Sequence, residues 1–192
     1  MTADRERNLV ELVNSDGAPT GTATVLEAHT APGARHRAFS VVLLDPTGRT
    51  LLQQRAAGKI RFPLRWANAC CGHPLPGEAV TVAATRRVQQ ELGVHVDGLE
   101  EVGVYQYRAN DPTSGLVECE YDHVLVGRIE PTLPLAPDPE EVSAVQWARP
   151  DELTQLNGAP GFATLAERNQ SALYAPWLSG VIRLAIGFSP PV

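Results

Sequence analysis

The chain has 192 residues, a formal net charge of −6 and 43% hydrophobic residues. A chain of this size buries roughly 70% of its unfolded surface, enough for one core without disulfide staples. Its three cysteines, Cys70, Cys71 and Cys119, are too few for a disulfide framework and point to a reducing, cytoplasmic setting. The acidic balance argues against nucleic-acid binding through the bulk field. No apolar run reaches the about 18 residues of a membrane span, and "MTADRERNLVELV" lacks the apolar centre of a signal peptide. The expectation is one domain over residues 1–192, with 1–8 and 188–192 as flexible tails. Both a monomer and a homodimer remain open.

In chain order, "HRAFSVVLL" (36–44) reads as a buried strand, "DPTG" as a turn and "RTLLQQR" as the returning strand. "EAVTVAATRRVQQELG" predicts a helix over about 79–91, with Gly93 as its C-terminal cap. "LEEVGVYQYRA" and "LVECEYDHVLVGRI" read as two further strands, and "VSAVQWA" as another. "EPTLPLAPDPEE" holds four prolines in twelve residues and must be a loop. "PDELTQL" places a proline at a first helical position, and mainly helix is expected beyond residue 160. Strands and helices therefore mix in an α/β or α+β architecture.

Four cations, Arg55, Lys59, Arg61 and Arg65, lie close together in a segment that runs into "CCGHPLPGE" (70–78). They form either a solvated loop or an anion site. His29 and His36 are separated by Pro32 and Gly33, so a bend can bring both imidazoles to one point. Taken alone, they read as a pair of surface histidines in preference to a metal site. Glu118 and Glu120 flank Cys119 on a strand, which puts both carboxylates on one face with the thiol opposite. That face is either simply wet or holds a cation. With His73 as a third histidine, the mixed nitrogen and oxygen set suits Mn²⁺, Mg²⁺ or Zn²⁺. Cys70 and Cys71 are adjacent, without the spacing of a structural zinc site. His95 and His123 read as structural or surface residues.

Residues 72–94, "GHPLPGEAVTVAATRRVQQELGV", resemble the Nudix signature G-x5-E-x7-R-E-U-x-E-E-x-G-U, where U is aliphatic. Gly72, Glu78, Arg86, Val88, Glu91, Gly93 and Val94 match, whereas positions 87 and 90 are Arg and Gln instead of Glu. The resemblance implies a Nudix fold, a mixed β-sheet core sandwiched by helices. It also implies lost hydrolysis, because two carboxylates of the usual metal set are missing.

A closer resemblance, from about residue 8 to about 178, is to the type I isopentenyl-diphosphate Δ-isomerases. It rests on "AHTAPGARHRAFS", "RWANACCGHP", "RRVQQELGV", "YQYRANDP", "VECEYDHV" and "YAPW", in that order. The resemblance implies a divalent metal on His29, His36, His73, Glu118 and Glu120. Cys71 and Glu120 would be the acid/base residues, with Tyr107 and Trp177 in the active site. Glu91, with the Cys71 backbone as a possible co-ligand, would hold a second, substrate-bound Mg²⁺. Arg55, Lys59 and Arg87 would bind the diphosphate, and Cys70 would be structural. The family often carries a lysine four residues before its first histidine, where this chain has Val25. One diphosphate contact is then either missing or supplied by another residue, such as Arg61. The implied reaction is interconversion of isopentenyl and dimethylallyl diphosphate. The alternatives are the same chemistry on another prenyl diphosphate, or pyrophosphate hydrolysis.

Overall fold

A computed structural model describes residues 5–154 and 173–187. Nine strands form one mixed sheet: β1 (Leu9–Val13), β2 (Pro19–Thr24), β3 (His36–Leu44), β4 (Thr50–Arg55), β5 (Trp66–Asn68), β6 (Cys70–Gly72), β7 (Glu100–Asn110), β8 (Val117–Arg128) and β9 (Val142–Ala148). The helices are α1 (Val25–His29), α2 (Val80–Leu92), α3 (Pro150–Leu153) and α4 (Leu178–Gly187). No helix among the described residues is long and apolar enough to cross a membrane.

β3 is the organising strand. It pairs along its whole length with β8, in parallel, from His36↔Glu120 to Leu44↔Arg128. Its other edge is shared by β1 at His36, β6 from Phe39 to Val41, and β4 at Leu44. Alternation then divides the core. Phe39, Val41, Leu43 and Leu125 pack against α2 through Val80, Ala84, Val88 and Leu92. Val42, Val124 and Val126 pack on the opposite side against α4 through Val181, Ile182 and Ala185. Helices thus cover both faces, as expected of the sandwich.

The helix expected over 79–91 runs over 80–92 and stops at Gly93, whose φ of +69° is left-handed. A Cβ there would lie 2.6 Å from the Ala136 carbonyl oxygen. The proline-rich loop docks at this end of α2, where the Ala136 and Asp138 N–H groups donate to the Leu92 and Glu91 carbonyls. The strand readings for β3, β7, β8 and β9 agree with the structure to within a residue or two. Residues 155–172, part of the region expected to be mainly helix, lie outside the described residues, as do 1–4 and 188–192. Within the segment expected as a flexible tail, Arg5 pairs with Glu141 and Glu6 with Arg61.

Candidate active site

The histidine and carboxylate cluster is built from four elements. α1 is only five residues long, but a capping box fixes its start: the Thr24 hydroxyl accepts from the Glu27 N–H, and the Glu27 carboxylate accepts from the Thr24 N–H. His29 ends this helix and His36 opens β3, so the bend around Gly33 (φ +83°) lies between them as expected. The two rings stand 4.5 Å apart, centroid to centroid, and His73 lies 5.3 and 4.9 Å from them.

Each of the first two histidines is anchored through Nδ1. The His29 Nδ1 donates to the Val25 carbonyl (2.6 Å), and the His36 Nδ1 to the Ala34 carbonyl (2.9 Å). That tautomer turns both Nε2 lone pairs inward. Nε2 of His29 lies 2.8 Å from Glu118, and Nε2 of His73 lies 3.1 Å from Glu120. One ligand atom from each of His29, His36, His73, Glu118 and Glu120 lies within 4.8 Å of all the others. The Nε2 atoms of His36 and His73 face each other at 3.2 Å. Buried lone pairs converging in this way fit a divalent cation, and three nitrogens with two carboxylates match the donor set expected from the sequence.

Burial and the neighbouring imidazoles push His73 down to about 4, against the pull of Glu120. Burial also opposes charge on His29, but the Glu118 carboxylate outweighs it and raises that pKa. Burial opposes ionisation of Glu120 as well. The neighbouring His36 and His73 imidazoles overcome it and hold the carboxyl well below its usual range.

The remaining groups share the face of the sheet that carries this cluster. The register rows Tyr107↔Glu120 and His36↔Glu120 place the tyrosine, the carboxylate and the histidine side by side. The Tyr107 hydroxyl donates to Glu120 Oε2 at 2.7 Å. Ser40↔Cys71 places the Cys71 thiol on the same face, whereas Cys70 points into the α2 core. Burial, then Asp122, pushes Cys71 up to about 12. Cys119 faces away from the carboxylates beside it, near Gly33.

A cavity of about 540 Å³ joins these parts. Its walls include Cys71, His73, Tyr107, Glu118, Glu120 and Trp177, and Arg5, Arg55, Lys59, Arg61 and Arg87 supply positive charge. Arg65 does not line it, so that member of the expected cation cluster lies outside the site. The loop leading to the cations is strained. Phe62 (φ +46°) and Leu64 (φ +60°) occupy the left-handed region, and the Phe62 N–H is held by Asp111 at 3.1 Å. Trp177 is a packing residue and a cavity wall together. Its ring meets Phe62 edge-on, lies 5.7 Å from Tyr107 and carries the Arg55 guanidinium 5.6 Å from its centroid.

Three groups expected at the substrate have protein partners in the structure. Arg61, expected as one possible replacement for the missing lysine contact, donates to Glu6 at 2.8 Å and sits 3.3 Å from Glu118, beside the histidine and carboxylate cluster. The expected diphosphate cations are held by protein groups. Lys59 pairs with Glu141, Arg87 pairs with Glu91, and Arg55 donates to the Phe62 and Arg61 carbonyls. Glu91 is 1% exposed and accepts from Arg87 and from Gln53 (3.1 Å). One carboxylate already engaged on both oxygens does not by itself form a metal site. His95 and His123 pair with Asp97 and Glu101 outside the cluster.

Sequence reasoning missed four residues. Glu141 is buried at the end of the proline-rich loop and gathers Arg5, Lys59 and Arg87. Asp122 continues the Glu118 and Glu120 face by the period-two rule, a signal that was available. Burial, then Glu120, pushes it far above the usual carboxylate range, and it accepts from Ser40 at 2.8 Å. Asn68 and Ser40 contact the Cys71 sulfur at 3.2 and 3.6 Å; both lie inside the motifs "RWANACCGHP" and "AHTAPGARHRAFS", where neither was singled out.

The NUDIX domain family matches residues 34–168. A protein of Nocardia farcinica named isopentenyl-diphosphate Delta-isomerase is 52% identical over 176 residues, covering 92% of this chain and 93% of the relative. The chain belongs to the isopentenyl-diphosphate Delta-isomerase family of NUDIX proteins. A Streptomyces coelicolor protein of the same name is 50% identical over 82% of this chain and 79% of its own. Among solved structures, DR0079 from Deinococcus radiodurans superposes with a TM-score of 0.68 at 19% identity, over 92% of this chain and 98% of that one. At that identity the likeness supports the fold alone. Arg87 and Gln90 stand where the signature carries glutamates, and Arg87 pairs with Glu91, the carboxylate that matches it.

Proposed function

We propose that this protein interconverts isopentenyl diphosphate and dimethylallyl diphosphate for isoprenoid biosynthesis, using Cys71 and Glu120 as the two proton-transfer groups. One observation carries the assignment. A thiol and a carboxylate from the two strands that flank β3 open into one cavity whose other wall is cationic. A proton is added to the terminal methylene of the alkene, leaving a tertiary cation at the adjacent carbon. A proton is then lost from the carbon nearer the diphosphate, so the double bond moves and the composition is unchanged. An unactivated alkene is a very weak base, so positioning and exclusion of water carry much of the rate.

Tyr107 holds the Glu120 oxygen that faces away from His73. Trp177 offers an aromatic face to the cation, worth about 2 kcal/mol or more when desolvated, and this favours the cationic intermediate over the neutral substrate. A divalent ion on His29, His36, His73, Glu118 and Glu120, whether Mn²⁺, Mg²⁺ or Zn²⁺, would supply positive charge that biases the Glu120 protonation equilibrium. Arg55, Lys59 and Arg87 receive the diphosphate with its Mg²⁺, exchanging carboxylate and carbonyl partners for phosphate oxygens. Glu91 would hold that Mg²⁺ with Arg87 turned to the phosphate. Three free cysteines fit a reducing cytoplasm.

The test is proton NMR of the purified protein with isopentenyl diphosphate and Mg²⁺ in D₂O. Dimethylallyl diphosphate with deuterium in a methyl group is expected. Release of inorganic phosphate species without isomerisation would replace this reading with hydrolysis. Turnover of a longer prenyl diphosphate alone would change the substrate.

A further inference from the structure

Asn68 ends β5, is fully buried and uses its whole hydrogen-bonding capacity. Its Nδ2 donates to the Val41 carbonyl (3.2 Å) and the Cys70 carbonyl (2.9 Å). Its Oδ1 accepts from the Cys71 thiol (3.2 Å) and from the Trp177 indole N–H (3.1 Å). The orientation of the carboxamide is forced. Two backbone carbonyls need the NH₂, and an indole N–H can only donate. The two anchoring carbonyls belong to Val41 and Cys70, which are register partners in the β3–β6 ladder. The oxygen is therefore a fixed point on the sheet. Two groups distant in sequence meet on it: the thiol of β6 and the indole that immediately precedes α4.

We propose that Asn68 is a positioning residue whose single carboxamide oxygen holds the Cys71 thiol and the Trp177 indole in one fixed relation, so that the proton-transfer group and the aromatic face address the same substrate. The inference rests on the roles proposed for Cys71 and Trp177 above. The thiol hydrogen points to Asn68, which leaves the sulfur lone pairs to the remaining directions, including the cavity that Cys71 lines. The indole N–H, tied at the same oxygen, sets the plane of a ring that already contacts Tyr107 and Arg55. Misplacing reacting groups by about 1 Å costs on the order of 10²-fold in rate.

The experiment combines steady-state kinetics with indole N–H resonances in ¹H–¹⁵N spectra of the full chain. The chain has three tryptophans, so Trp177→Phe assigns the signal. Asn68→Ala should lower kcat by about 10²-fold while KM for isopentenyl diphosphate stays within about threefold, because the diphosphate cations are untouched. The Trp177 N–H resonance should move upfield and exchange faster. A kcat within twofold of the parent, or a kcat loss with an unmoved resonance, overturns the proposal. If Asn68→Ala does not fold, Cys71→Ala decides. With one of its two donors removed, Oδ1 binds the indole more strongly, so the Trp177 resonance should move downfield. An unmoved resonance overturns the shared acceptor. These spectra need no substrate, so failure of the parent protein to isomerise isopentenyl diphosphate would count against the functional reading and not against the network.

Discussion

Lys59 gives the reaction a pH limit that can be calculated. Burial lowers its pKa to about 8, Glu91 opposes this, and Arg55, Arg87 and Arg5 add to it. With Lys59 in its proposed role, raising the pH removes a cation from the diphosphate site. About 90% of Lys59 is protonated at pH 7 and about 10% at pH 9, so KM for isopentenyl diphosphate should rise about tenfold across that interval, approaching tenfold per pH unit above pH 8. At saturation kcat should stay nearly flat over the same range, because a bound anion restores the ammonium. The assay is initial-rate formation of dimethylallyl diphosphate at constant ionic strength, from pH 6.5 to 9.5. Lys59→Arg is the control, since a guanidinium stays charged throughout. Ionisation of the substrate itself is common to both proteins, so the difference between the two profiles isolates Lys59. If Lys59→Arg shows the same rise, or the parent shows none, Lys59 is not a diphosphate contact.

Three further outcomes follow from the geometry. Tyr107→Phe removes a hydrogen bond to a buried carboxylate, worth about 1.5–3 kcal/mol. It should slow kcat by roughly 10- to 150-fold, with bound metal unchanged by elemental analysis because Glu120 still faces His73. A loss of metal instead would make Tyr107 a support of the cluster. His73→Ala should bring bound metal well below one equivalent, and full occupancy would exclude His73 as an essential ligand. Cys71→Ala should abolish isomerisation yet still bind isopentenyl diphosphate with Mg²⁺ by calorimetry, while Cys70→Ala stays active. The opposite ranking would exchange the two cysteines.

What was legible in the sequence is what local patterns encode. β3 and β9 carry β-branched and apolar runs bounded by turn residues, and α2 carries a helical repeat with Gly93 at its end. Glu118 and Glu120 were legible because an i, i+2 pair shares a face whatever the strand pairs with. β5 and β6 are three residues each, and α1 only five, too short for a period to register. The parallel β3–β8 pairing is non-local: His36 and Glu120 become neighbours through a register that no segment announces by itself. Glu141 sits at the end of a loop whose prolines excluded regular structure but said nothing of where the loop docks. Arg61 illustrates the same limit. Its charge was visible, whereas its place beside Glu118 depends on two segments meeting.

The register that could not be read is also what makes the site specific. Alternation gives each strand two faces, and a slip of one residue exchanges them. In β3 the face carrying His36, Ser40 and Val42 is the face on which Glu120, Asp122 and Val124 of β8 lie, and the other face holds Phe39, Val41 and Leu43 against α2. A slip of β8 by one residue would drive Glu118, Glu120 and Asp122 into that second core without histidine partners. Buried carboxylates deprived of their hydrogen bonds are far costlier than the loss of a few apolar contacts. The apolar pattern and the polar cluster therefore select the same register. The adjacent cysteines obey the same logic. Ser40↔Cys71 and Val41↔Cys70 are consecutive rows of one ladder, so Cys71 opens on the cavity and Cys70 on the core. The pleat of the strand thus opens one of two identical thiols to the cavity, with Asn68 holding that thiol from the end of β5.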